Sequence, residues 1–254
     1  MPRVGLANRI GLFEEEFDLP IYRIYRLDRF EQLLKTNTDV LVNPSRWADP
    51  FENFFLSRTA VQDISGSIRL ENLASDWYGQ CWSFYEETDA MWRIYSPTTQ
   101  RIEHTGVKVK SSIRRVFENL VRFESPAPYL QFFTGRVVYM EQHEIAKLMH
   151  DLTFQSIALG GQGEKFAQLL CVKRTAFRHE NEMRLLFQDI QPNRGVNGLL
   201  TFPLDANALF DEVILDPRLK DGDVGTVTAD LVASGCKLPI RRSPELAPEI
   251  CTAR

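Results

Sequence analysis

Residues 176–187, AFRHENEMRLLF, constrain the fold more than any other stretch of the chain. Read as an extended strand, Glu180, Glu182 and Arg184 project from one face. Asn181, Met183, Leu185 and Phe187 project from the other, apolar apart from the first. A strand with such a side needs a core to bury it, so the alternation predicts a sheet with one packed face. The opposite face carries two acids and a base in line. The alternation alone fits a solvated face with a surface ion pair as well as it fits the wall of a site.

The rest of the chain mixes strand and helix signals without a fixed repeat. IYRIYR (21–26), DVLVNP (39–44), QCWSFYE (80–86), TGVKVKSS (105–112), GRVVYME (135–141), GLLTFPL (198–204), FDEVILDP (210–217) and LPIRR near 238–242 read as strands. LDRFEQLLKTN, DAMWRIYS (89–96), IRRVFENLVRF and residues 221–234 read as helices, with two further helical segments at about 142–158 and 163–175. SRWADPFENFFL turns at Asp49-Pro50 and enters a short helix. The expected architecture is an α+β single domain over 1–254, with a mixed, largely antiparallel sheet flanked by helices. Its core spans about 20–245, and the ends, 1–12 and 244–254, are expected to be loose.

With 254 residues, 44% of them hydrophobic, the chain has material for a sizeable core. Thirty basic against 34 acidic residues give a formal charge of −4, which argues against a generally basic nucleic-acid grip but leaves a local basic groove open. Cys81, Cys171, Cys236 and Cys251 lie far apart with no CxxC pair, so the expected compartment is a reducing cytoplasm. MPRVGLANRIGLFEEEF has no long apolar core and is not expected to be a secretory signal. No run approaches the roughly 20 apolar residues of a bilayer span, so no membrane association is expected.

Four stretches concentrate unusual residue types. IYRIYR sets Arg23 and Arg26 among tyrosines, including Tyr25, as an edge strand or a binding strand would. RWADPFEN brackets a proline turn with Asp49 and Glu52, which is ordinary turn chemistry unless a site recruits the acids. QCWSFYEETDAMWRIYS is the densest aromatic segment. Its Ser83 and Cys81 share one strand face, and Trp92 and Tyr95 are helical neighbours suited either to the core or to a flat heteroaromatic ligand. In the fourth, the opening stretch, Arg184 is placed to pair with Glu182 and keep it ionised. GGQGEK lacks the ending of a P-loop, His143-Glu144 lacks a second histidine at metalloprotease spacing, and no metal site is expected.

Taken in order, the YRIYR strand, WADPFE, QCWSFYEETDAMWRIYS followed by GVKV, and HENEMRLLF resemble a bacterial family called domain of unknown function twenty-nine seventy-one, over roughly residues 20–245. More distantly, the layout is similar to the ADP-ribosyltransferase fold, including its DNA-modifying toxin branch. That resemblance implies NAD as substrate. It matches Glu182 with the catalytic glutamate, Glu180 with an acceptor-handling one, and Ser83 with a middle serine. Arg23 or Arg26, beside Tyr25, takes the dinucleotide, and Trp92 or Tyr95 takes the nicotinamide ring. The Ser-Thr-Ser triplet of the arginine–serine–glutamate branch of that fold is missing here.

The function expected from this resemblance is an NAD-using ADP-ribosyltransferase or NAD glycohydrolase, a toxin or phage-defence effector with a nucleic-acid or protein acceptor. Two other classes remain open. One is a non-enzymatic interaction or regulatory domain. The other is a metal-dependent nuclease built on Asp49, Glu180, Glu182 and Lys173.

Overall fold

The computed structural model describes residues 8–47, 60–63, 66–69, 74–86, 88–97, 102–122, 131–151, 163–190 and 194–244. Asp49, Glu52, the 48–59 turn and most of the GGQG segment lie outside the described residues. In chain order the strands are β1 (Arg9–Ile10), β2 (Pro20–Arg26), β3 (Thr38–Val42), β4 (Ala60–Asp63) and β5 (Gly66–Arg69). They continue with β6 (Trp77–Ser83), β7 (Gly106–Ser112), β8 (Phe132–Arg136), β9 (Val138–Met140) and β10 (Val172–Arg174). The last four are β11 (Glu182–Gln188), β12 (Leu199–Pro203), β13 (Glu212–Leu215) and β14 (Ile240–Arg242). With the helices between them they make an α+β architecture that groups into two compact units.

The first unit comprises residues 1–19, 39–84 and 113–203. Its sheet runs β1-β8-β11-β6-β3-β12, with β1 parallel to β8 and antiparallel pairing from β8 through β11 and β6 to β3. Cross-strand register sets Glu182 opposite Ser83 and Arg184 opposite Cys81 on β6, with Arg184 opposite Gly135 on β8. The opposite face of β11 buries Met183, Leu185 and Phe187, the last stacked on Phe132 at 4.5 Å between ring centroids. The charged face is covered too. Helix Glu164–Leu169 buries Phe166, Ala167, Leu169 and Leu170 against Trp77, Phe133 and Leu186, so a helix lies where solvent was one of the two expectations.

The second unit comprises residues 20–38, 85–112 and 204–254. Its sheet runs β2-β7-β13-β14, antiparallel except for the last, parallel pair. Helix Leu27–Thr36 buries Leu27, Phe30, Leu33 and Leu34, the set the helical spacing predicts. Phe30 packs with Tyr25 at 5.6 Å and with Phe210 at 6.2 Å. Helix Asp89–Tyr95 is capped by Thr88, whose side chain accepts from the Met91 N–H.

Three local expectations are corrected. The segment 163–175 is helical only to Leu169, then forms β10 and enters a 3-10 turn. GRVVYME is two strands broken at Val137, whose N–H turns to the Glu182 carbonyl at 2.9 Å. The strand expected over 176–187 begins at Glu182, because Thr175–Glu180 is a 3-10 helix closed by Asn181 in the left-handed region (φ 41°, ψ 59°). Asparagine tolerates that conformation better than most residues.

Candidate functional site

The 3-10 turn and β11 place Glu180 and Glu182 around one ammonium group in the first unit. Lys173 Nζ donates to Glu180 Oε2 at 2.6 Å and to Glu182 Oε2 at 3.0 Å. Arg184 adds Nε to Glu182 Oε1 at 2.7 Å and Nη2 to Oε2 at 3.3 Å. Two acids and two bases thus form a buried, formally neutral cluster, with Glu182 3% and Arg184 1% exposed. The i, i+2 spacing on the strand brings Glu182 and Arg184 together as expected.

Arg184 fits because its neighbours are small. It lies between Cys81 and Gly135, and its guanidinium carbon sits 4.2 Å from the Trp47 ring centroid. Nη1 donates to the Leu170 carbonyl at 2.5 Å, closing an acceptor at the end of helix 164–169. A Cβ added at Gly135 would stand 2.6 Å from Cys171 Sγ and 3.0 Å from Ile10 Cβ. At Gly79 it would meet Trp47 at 2.9 Å. These glycines let the strands and Trp47 close around the guanidinium.

The two carboxylates are pushed apart electrostatically. Burial drives Glu182 upward, but the positive charges of Arg184 and Lys173, with hydrogen bonds from Arg184 and Cys81, outweigh it and bring its pKa down to about 2. Burial dominates at Glu180 and raises it, with Lys173 opposing and the Glu182 charge adding to the rise. A pair of acids separated in this way suits one to carry charge and the other to carry a proton.

Residues that the motif reading did not single out complete the site. Tyr139, on β9, accepts the Glu182 backbone N–H on its hydroxyl at 2.9 Å, and burial raises its pKa. Lys173 entered only as part of the nuclease alternative, although VKR followed by an aromatic was visible in sequence. Its partner acids lie seven and nine residues on, across a turn, where no strand or helix periodicity marks a contact. Ser83, matched by the resemblance with a middle serine, lies opposite Glu182 in register, and its hydroxyl donates to the Glu180 carbonyl at 2.7 Å.

The remaining expected site residues belong to the second unit. Arg26 is exposed and held by Asp28 through Nε at 2.7 Å and through Nη2. Arg23 lies over the Tyr25 ring at 4.8 Å, and its buried Nη1 has no hydrogen-bond partner among the described residues. Trp92 is fully buried, with Lys108 Nζ over its ring at 4.4 Å, whereas Tyr95 is exposed. Lys108, on β7, is itself buried and donates to the Glu86 carbonyl at 2.5 Å. Among the described residues no cluster of three or more histidine, cysteine or acidic side chains is arranged to hold a metal. No helix among them is long and apolar enough to cross a membrane.

No protein-family model and no curated protein matches the chain, so the family expected from the ordered motifs is not confirmed. Among solved structures, the chain is similar to Thermus sp. 2.9 DarT in complex with NAD+, at 17% identity over 90% of this chain and 96% of that one, with a TM-score of 0.40. The same protein in complex with ADP-ribosylated ssDNA aligns at 16% identity over 90% and 95%, with a TM-score of 0.41. Its carba-NAD+ complex aligns at 17% over 89% and 95%, with a TM-score of 0.38. Likeness at that level transfers neither a binding site nor an activity.

Proposed function

We propose that this chain is an NAD-using ADP-ribosyltransferase or NAD glycohydrolase with Glu182 as its reacting carboxylate. The observation that carries the reading is an ionised, buried Glu182 at the head of β11, joined through Lys173 to Glu180, whose pKa burial raises. Cleavage between nicotinamide and ribose develops oxocarbenium character, as other glycosidic cleavages do. A carboxylate bonded to the ribose 2′-hydroxyl then gains strength as positive charge grows, which is selective stabilisation of the transition state.

Glu182 reaches a ribose hydroxyl by exchanging a bond it already makes. Its contacts to Lys173 at 3.0 Å and Arg184 Nη2 at 3.3 Å both fall on Oε2 and are longer than the 2.7 Å contact of Arg184 Nε on Oε1, so Oε2 is the oxygen that gives way. Arg184 Nε stays on Oε1 and keeps the group oriented. Glu180, raised by burial, is suited to exchange a proton with the acceptor nucleophile. The acceptor class proposed is nucleic acid.

The test is nicotinamide release from NAD by the purified protein, with and without single-stranded DNA, alongside NAD titration by calorimetry. Glu182→Gln is expected to lower kcat on the order of a hundredfold or more while leaving NAD bound. Absence of both NAD binding and turnover with every acceptor tried overturns the proposal. The burial of the cluster favours one other reading, a purely structural knot in a non-enzymatic domain. It predicts that Glu182→Gln changes stability and no NAD-dependent signal.

A further inference from the structure

The carboxylates of the cluster come from different backbone environments. Glu180 closes the 3-10 turn, Glu182 opens β11, and left-handed Asn181 lies between them. On a continuous strand the pleat would put residues two apart on one face, but across this break that rule does not apply. Their convergence comes from Lys173, whose Nζ touches one oxygen of each. Lys173 arrives on β10, which pairs in parallel with β9 so that Lys173 is in register with Tyr139. Tyr139 Oη takes the Glu182 N–H. The same short strand pair therefore grips the start of β11 by its backbone and by its side chains. The Phe177 ring, 4.9 Å from Nζ, lies against the ammonium group.

We infer that Lys173 is a positioning residue that sets the spacing of Glu180 and Glu182, releasing Glu182 Oε2 to the incoming ribose while remaining on Glu180. The inference rests on the function proposed above. Its asymmetry follows from the distances, since the contact to Glu180 is shorter by 0.4 Å than the contact to Glu182 (2.6 against 3.0 Å). Among the described residues, the other charged or titratable groups facing the pair include Arg184 on β11, His179 on the 3-10 turn, Tyr139 on β9 and Cys81 on β6.

The experiment compares Lys173→Met and Lys173→Arg in the full chain, with NAD turnover across pH and carboxylate titration by NMR of 13C-labelled glutamate. Lys173→Met is expected to lower kcat on the order of a hundredfold with little change in KM. It should also shift the Glu180 titration upward by about one pH unit or more. Lys173→Arg, which keeps the charge and donors, should recover part of both. If Lys173→Met does not fold, Lys173→Met/Glu180→Gln leaves one buried acid, Glu182, against one buried base, Arg184. That double variant should turn over NAD as Glu180→Gln alone does. A Lys173→Met protein with wild-type kcat and pH profile, or one that loses the same factor in both backgrounds, overturns the inference. If the wild-type protein does not turn over NAD, the functional reading fails, and the glutamate titration still decides whether Lys173 couples the pair.

Discussion

Glu182 and Glu180 carry opposite pH signatures although they share a lysine. Glu182 is lowered from 4.5 to about 2, so its contribution to stability is present above its unfolded pKa and is lost as pH falls from about 4.5 towards 2. Glu180 is raised, so its ionised form destabilises the fold above its folded pKa, and that penalty is relieved as pH falls through it. Chemical denaturation across pH is therefore expected to show stability rising as pH falls through the raised Glu180 pKa and then falling in acid as Glu182 is protonated. Glu180→Gln should remove the rise, and Glu182→Gln should flatten the fall. Arg184→Met leaves a buried carboxylate short of its closest counter-charge and is expected to cost about 3–5 kcal/mol by urea denaturation. The Glu182–Arg184 pair was legible in sequence because strand periodicity is local. Its burial was not, because the covering helix ends at Leu169, more than a dozen residues upstream, and no local pattern says which face it lands on.

At the level of elements, the instructive error is the start of β11. Alternation in AFRHENEMRLLF holds from Glu182 onward, where each apolar residue is buried. Before it, TAFRHE forms a 3-10 turn whose hydrogen bonds and left-handed exit compete with extension. Asn181→Val is expected to destabilise by about 1–3 kcal/mol, since a β-branched side chain resists the conformation asparagine accepts, while Asn181→Gly should be nearly neutral. The packing of β1 on β8 supplies a second check. Gly135→Ala drives a methyl into Cys171 Sγ and Ile10 Cβ, and a loss of about 1–3 kcal/mol with faster amide exchange in β1 and β8 is expected. Helix 27–36 and β7, by contrast, fall within a residue of where periodicity and capping residues predict them.

For the whole molecule, the α+β expectation and the mixed, largely antiparallel pairing hold in each unit, because strand and helix signals alternate too irregularly for repeated parallel crossovers. If NAD is the substrate, free NAD at about a hundred times its dissociation constant should raise the unfolding free energy by about 2.7 kcal/mol. Denaturant midpoints with and without NAD are the measurement, and unchanged midpoints would count against NAD binding. The sequence by itself determined most of the strands and helices, the apolar face of β11 and the Glu182–Arg184 pairing, since each depends on neighbours a few residues away. Only the tertiary structure decided that the charged face is buried, that Lys173 and Tyr139 grip the head of β11, and that Glu180 and Glu182 differ in proton affinity. Those outcomes depend on which distant segment excludes water from a charge and which delivers its counter-charge, and neither is written in any local spacing.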